Sequence, residues 1–378
     1  MKKIIDEKKL IEIYKEASKY FYSNQNNVNQ KSIHWQSYFL EKVTLDNLIN
    51  FRKGYINKSE GKLSKGLDDQ NDNFTFKIYA EIINHTSESY VLNNLLQKNI
   101  GNSDALIKYK DVFVDYNKLI HIYWFWIIEN KILKNIKIKN ICEIGGGFGS
   151  FSELFIKNYN TKTFLIDLPE ANLISAYYLK ELFPQKKFYL FDDYKKNEIL
   201  SKLDFDENDI IILPPNCNID KKIKIDFFIN TRSMMEMNFD VIKSYFDFIH
   251  QYLSEDGYFL NINRYEKTSV GFPIRISEYP YDTNWKVIIS EPSFNQNWVH
   301  CLLTQRSFKK NEINIFEELK NIKIIGKKFY GEKIVYNPKS MILRKKLRKI
   351  LIMTFGSKFL NYIGNFLFKI GTKLKNTK

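Results

Sequence analysis

At 378 residues, with 44% hydrophobic and 16% aromatic side chains, the chain has enough apolar surface for a large core, which excludes long disorder. Cys142, Cys217 and Cys301 are scattered without metal or disulfide spacing, and the start, MKKIIDEKKL, lacks an apolar signal segment; both point to a reducing, cytoplasmic setting. The net charge of +15 suggests nucleic acid only until it is located: residues 339–378 hold 11 Lys or Arg and no acid, leaving +4 over everything before them.

Residues 1–110 read as a helical N-terminal substrate or cap region. Ile4, Leu10, Ile11, Ile13 and Tyr14 recur at helical spacing, Trp35, Tyr38, Phe39 and Leu45 follow, and residues 74–96 give another helix. Between them, residues 54–73 are polar and read as a loop. The run 111–130 is the densest in aromatics, with Phe113, Tyr116, His121, Tyr123, Trp124, Phe125 and Trp126; it reads as a core helix, with a sugar-stacking surface as the alternative.

Residues 141–167, ICEIGGGFGSFSELFIKNYNTKTFLID, are the stretch that carries chemistry. Ile141, Cys142 and Ile144 suit a buried parallel strand. Gly145, Gly147 and Gly149 then let the backbone turn tightly against a ligand at a helix N-terminus. Phe151, Leu154, Phe155 and Tyr159 form the apolar stripe of that helix. Thr163 to Ile166 make the next strand, which ends at Asp167, where a carboxylate can hold ribose hydroxyls. A dinucleotide fingerprint requires Gly or Ala at its sixth place, which here is Ser150 or Ser152. Carboxylates repel a diphosphate and attract an ammonium or a sulfonium.

Further along, Pro169 and Glu170 start a helix that stops at Pro184, and a third strand, 187–191, ends in Asp192 and Asp193. Residues 210–213 are a further strand-like run; 225–229 form the fourth main strand, leading to Asn230, Arg232 and Glu236. A helix at 240–253 precedes a fifth strand, 258–262, which leads to Asn263 and Arg264. Strands at 285–289 and 299–303 complete the set.

The element Glu143-x-Gly-x-Gly-x-Gly149 resembles motif I of class I S-adenosylmethionine (AdoMet) methyltransferases. Together with LIDLPEANLISAYYL at 165–179, INTRSMMEM at 229–237, and YFDFI with GYFLNINR within 245–264, it is similar to the sugar O-methyltransferases of bacterial surface-polysaccharide biosynthesis. The resemblance covers residues 95–308. It implies an α/β, Rossmann-like class I methyltransferase sheet, mostly parallel with an antiparallel terminal pair, over residues 111–310. A connecting segment, 311–338, and a basic amphipathic tail, 339–378, follow.

The implied cofactor is AdoMet, with Glu143 near the methionine amino group, Asp167 on the ribose and Asp192, with Asp193 as the alternative, by the adenine. Gly145, Gly147, Gly149, Leu168 and Asn230 complete that set. Glu236 is the expected general base, with His250 and His300 as weaker alternatives, and no metal is expected. Arg232, Asn263 and Arg264 sit at strand ends where they would bind sugar hydroxyls or a diphosphate. The expected acceptor is a nucleotide sugar or lipid-linked glycan. Apolar residues interleaved with Lys and Arg in the tail suit an anionic membrane surface, placing the protein on the cytoplasmic face. Two rivals stand beside this. A nucleic-acid methyltransferase lacks its Pro-Pro-aromatic element after the fourth strand, since Pro214 and Pro215 come too early. The other is a non-catalytic member of a glycan assembly complex.

Overall fold

The computed structural model describes residues 6–23, 40–53, 72–104, 106–267, 273–307 and 315–330. Residues 54–71 of the loop expected at 54–73, the aromatics Trp35, Tyr38 and Phe39, and the basic tail lie outside the described residues; Asp72 and Asn73, expected in that loop, begin a helix instead.

Four short apolar runs have no polar side to turn to water, and each becomes a strand covered on both faces. These are β1 (Asn140–Ile144), β2 (Lys162–Ile166), β4 (Ile210–Leu213) and β5 (Ile225–Thr231). With the short β3 (Phe188–Tyr189), the long β6 (Leu253–Arg264), β7 (Trp285–Ser293) and β8 (Gln296–Arg306), they form one eight-stranded sheet of order β7-β8-β6-β5-β1-β2-β4-β3. The pairings from β3 across to β6 are parallel; β8 runs antiparallel to both β6 and β7. This is the mostly parallel α/β sheet with a terminal antiparallel pair that the sequence led us to expect.

One expectation about this sheet is corrected. The run Ile210–Leu213 takes the place beside β2, and Phe188–Tyr189 is pushed to the edge. The edge strand is also shorter than expected, because the helix α6 (Phe191–Asn197) begins at once after Leu190.

Helices cover both faces. On one lies α1 (Glu7–Ser23), whose Leu10, Ile11, Tyr14 and Ala17 share a core with β2, β4 and α5 (Pro169–Leu182). Its Tyr14 hydroxyl donates to the Ile212 carbonyl at 3.2 Å, so this N-terminal helix is pinned directly to the sheet. The other face packs α2 (Asp72–His85), α3 (Tyr116–Ile128) and α4 (Ser152–Tyr159) over β1, β5 and β6. The aromatic run is largely core, since Trp124 and Phe125 are buried. No helix among the described residues is long and apolar enough to cross a membrane. The helices α7 (Phe239–Tyr252) and α8 (Ile315–Tyr330) flank the antiparallel end.

Two buried ion pairs lock the elements beneath the glycine turn. Lys118 on α3 donates to Glu153 on α4 at 2.6 Å and to the Ser150 carbonyl, and Tyr178 on α5 donates to the same Glu153 oxygen. Arg52 pairs with Asp115 at 2.7 Å; Asp115 in turn caps α3 through the Lys118 N–H, and Arg52 lies over the Phe148 ring. Breaking either pair would leave an uncompensated buried charge, which typically costs 3–5 kcal/mol.

Candidate functional site

Ligands of parallel sheets gather outside the carboxyl ends of the strands, where the chain changes direction. At the end of β1 the glycines turn with φ of +71° at Gly145, +60° at Gly147 and +83° at Gly149, conformations that L side chains rarely adopt. They are needed for different reasons. A Cβ on Gly145 would lie 2.0 Å from the Ser233 hydroxyl, so that position is closed by the loop after β5. A Cβ on Gly149 would press on Leu179. One on Gly147 would meet nothing within 4 Å, so the middle glycine faces open space, where a ligand can approach the backbone.

Three carboxyl groups surround this turn. Asp167 accepts the Gly147 N–H at 2.9 Å and the Leu168 N–H at 2.7 Å, so one side chain ties the end of β2 to the glycine turn. Burial pushes its carboxyl up to about 6 in spite of those donors. Glu143 lies under the turn and accepts from the Ser152 hydroxyl at 2.5 Å and the Ser152 N–H at 3.2 Å. It thereby satisfies the first turn of α4, a capping role that its position in the motif did not announce. Both bonds use Oε2, and burial raises this group to about 7. Glu170, in the first turn of α5, is also raised by burial to about 7; its Oε2 is shut off from solvent with no hydrogen-bond partner among the described residues.

None of the three is in an ion pair with a described residue, and Lys118 gives its charge to Glu153. Among the described residues the turn thus concentrates carboxyl groups without an ion-paired cation, an arrangement suited to a positively charged ligand.

The linkage has a definite sign. Glu143 has a folded pKa above the usual 4.5, so the folded chain holds the extra proton, and stability falls as pH rises from about 4.5 to 7. The expected loss from this group is about 3 kcal/mol. Thermal melts between pH 5 and 8 should show wild type losing stability, and Glu143→Gln should flatten that slope; parallel slopes would contradict it.

Beyond β5 the structure corrects two expectations. Asn230 is fully buried and spent: it donates to the Ile144 carbonyl at 2.8 Å and to the Ser233 hydroxyl at 2.6 Å. Its oxygen accepts from the Met234 N–H and from Asn263. Asn263, also fully buried, bonds Asn230, Asn261 and the Met235 N–H, and Asn261 continues the line to the Tyr281 hydroxyl. Neither Asn230 nor Asn263 keeps an amide group for a ligand. They form an asparagine ladder that stitches β1, β5 and β6 at their carboxyl ends and holds the loop in place.

Asp192 is also corrected. It lies in α6 at the sheet edge and pairs with Lys9 at 3.5 Å, because β4 intervenes between its strand and β2. Of the histidines named as alternative bases, His250 accepts from Trp285 at 3.3 Å. His300 is held between Ser290 and Tyr265, and burial pushes it down to about 3.

Glu236 stays near the site. It ends the 3-10 turn Met234–Glu236, lies close enough to Asp167 to raise its pKa, and pairs with Lys267. Arg232 sits at φ +59°, a strained state for a side chain of its size, with its N–H on the Ile262 carbonyl and its guanidinium on Asn117 at 3.1 Å. Arg264 ends β6 beside it. The structure adds His121 on α3 to this group; its Nδ1 is buried without a hydrogen-bond partner among the described residues. Helical spacing puts Asn117, His121 and Trp124 on one face, but only the packing of α3 directs that face to Arg232.

No family model matches the sequence, and no curated protein sequence matches it. Among solved structures, the chain is similar to magnesium protoporphyrin IX methyltransferase from Synechocystis PCC 6803 with bound SAM, at 11% identity and a TM-score of 0.35, covering 64% of this chain and 100% of that one. It is similar to M. capricolum TrmK in complex with S-adenosyl-homocysteine, at 17% identity and a TM-score of 0.31, covering 65% and 96%. A third is the mitomycin 7-O-methyltransferase MmcR, at 14% identity and a TM-score of 0.30, covering 51% of this chain and 57% of that one. The first and third of these are methyltransferases. The chain spans less than two thirds of the length of the mitomycin enzyme.

Proposed function

We propose that this chain is an AdoMet-dependent methyltransferase that methylates a hydroxyl of a sugar in surface-glycan biosynthesis. The observation that carries the cofactor is the cluster of Glu143 and Glu170, both buried, and the half-buried Asp167, three carboxyls in no ion pair with a described residue, around a glycine turn that opens at Gly147. A dinucleotide would bring a diphosphate to that acid and be repelled; AdoMet brings an ammonium and a sulfonium. The acceptor class rests on the sequence elements at 165–179 and 229–237 and on polar groups at the ends of β5 and β6.

When bound, AdoMet supplies an electrophilic methyl group. Around it, Asp167 and the Gly147 backbone hold the ribose side, and Glu143 with Glu170 balances its positive charge. The loop after β5, braced by Asn230 and Ser233, presents Glu236 to the acceptor. Glu236 accepts the hydroxyl proton as the oxygen loses it, a step in which a positioned base contributes about 10²–10⁴-fold. The ion pair with Lys267 holds that carboxylate in place.

The test is incubation with methyl-labelled AdoMet and glycan extracts from a strain lacking this protein, followed by mass spectrometry. Label in glycan is expected, reduced about 100-fold in rate by Glu236→Gln with AdoMet affinity unchanged. Label in RNA and not in glycan would overturn the acceptor reading, and undiminished turnover in the variant would remove Glu236 as base.

A further inference from the structure

Two guanidinium groups stand at the carboxyl ends of neighbouring strands with no ion-pair partner among the described residues. Arg264 lies two residues past Ile262 and opposite Val299, on the sheet face that α3 covers, while the positive φ of Arg232 breaks the strand alternation and turns its guanidinium to Asn117 and Trp124 of α3 on that same face, near enough for Arg264 to act on its charge. Neither is in an ion pair with a described residue. The carboxylates nearest Arg232 are already taken, Asp115 by Arg52 and Glu236 by Lys267.

Arg232 is held in place by neutral groups instead. Its Nη2 donates to Asn117 at 3.1 Å, and its guanidinium lies 6.0 Å from the centre of the Trp124 ring. Burial and the neighbouring Arg264 both act against its charge. Holding a half-buried cation at a strained backbone position beside a second cation is costly unless an anion completes the arrangement. Beside it, His121 is packed against Phe151 and Trp124, and burial with Arg232 and Lys118 keeps it neutral, so it adds hydrogen bonding without further charge.

We infer that Arg232 and Arg264 form an anion subsite for the acceptor, so the sugar that is methylated carries a phosphate or a carboxylate. Arginine forks match both groups bidentately. The inference rests on the methyltransferase reading for what the bound molecule is used for, and on the two arginines alone for its charge.

Calorimetry on the full chain, saturated with S-adenosylhomocysteine, would compare glucose 1-phosphate, glucuronate, inorganic pyrophosphate and glucose. At least one anionic probe should bind ten-fold or more tighter than glucose, and more weakly as salt is raised. Arg264→Gln should remove that advantage while S-adenosylhomocysteine affinity is kept; Arg232→Gln should do the same if it folds. Preference for glucose 1-phosphate over glucuronate assigns a phosphate, the reverse a carboxylate. Equal binding of glucose and the anions, or an Arg264→Gln variant within two-fold of wild type, overturns the inference. Failure of wild type to bind S-adenosylhomocysteine would count against the methyltransferase reading separately.

Discussion

Asp167→Asn should weaken S-adenosylhomocysteine binding by roughly 10- to 100-fold while leaving a folded protein. The carboxylate accepts two backbone N–H groups, from Gly147 and Leu168, and hydrogen bonds to a charged acceptor contribute about 1.5–3 kcal/mol. An amide of the same shape can keep one of those bonds, but it turns a donor toward an N–H and loses the charge that the ribose hydroxyls would meet. Because burial works against the ionised acid, the variant should melt no lower than wild type near neutral pH. Calorimetry paired with a thermal melt reads both quantities. Unchanged affinity would remove Asp167 from the site.

The second large effect is structural. Gly145→Ala places a methyl group 2.0 Å from the Ser233 hydroxyl and 2.3 Å from its Cβ, at a φ of +71°. The left-handed conformation costs about 1–2 kcal/mol for a residue with a Cβ. Overpacking adds typically 1–3 kcal/mol. The sum, about 2–5 kcal/mol, is a large share of the stability of an ordinary domain. Ser233 also accepts from Asn230 and bonds the Ile144 carbonyl, so pushing it aside disturbs the ladder that fixes the loop after β5. The double variant Gly145→Ala/Ser233→Gly should recover the clash component and keep the backbone penalty. Denaturant titration of the two variants decides this: a double variant no more stable than Gly145→Ala would show that Ser233 is not the obstacle.

Much of the glycine turn and the elements that flank it was legible in the sequence because it is local. Strand β1, the glycine turn, an amphipathic helix, strand β2 and Asp167 follow one another within residues 140–167, and every step has its own compositional cue. What was not legible depends on pairing at long range. Ile210–Leu213 and Phe188–Tyr189 are both acceptable strands by composition, and only the packed sheet decides which one neighbours β2; Asp192 lost its expected place for that reason.

The asparagines misled in a different way. A polar residue at a strand end suggests a ligand, but Asn230 and Asn263 satisfy each other, as buried amides must. Asn261 and Asn263, two apart on one strand and so on one face, were the available hint. His121 could not be chosen from the aromatic run at all, since its relation to Arg232 is set by how α3 packs.

The central claim is that the carboxyl-lined glycine turn takes a cationic nucleoside. Titration calorimetry with AdoMet and with NAD⁺, at pH 8.0 and pH 5.5, tests it most directly. The expected result is AdoMet binding at pH 8.0 that weakens by about ten-fold or more at pH 5.5, as Glu143, Asp167 and Glu170 take up protons, with no measurable NAD⁺ binding. Absence of AdoMet binding at pH 8.0, or tighter binding of NAD⁺, would contradict it.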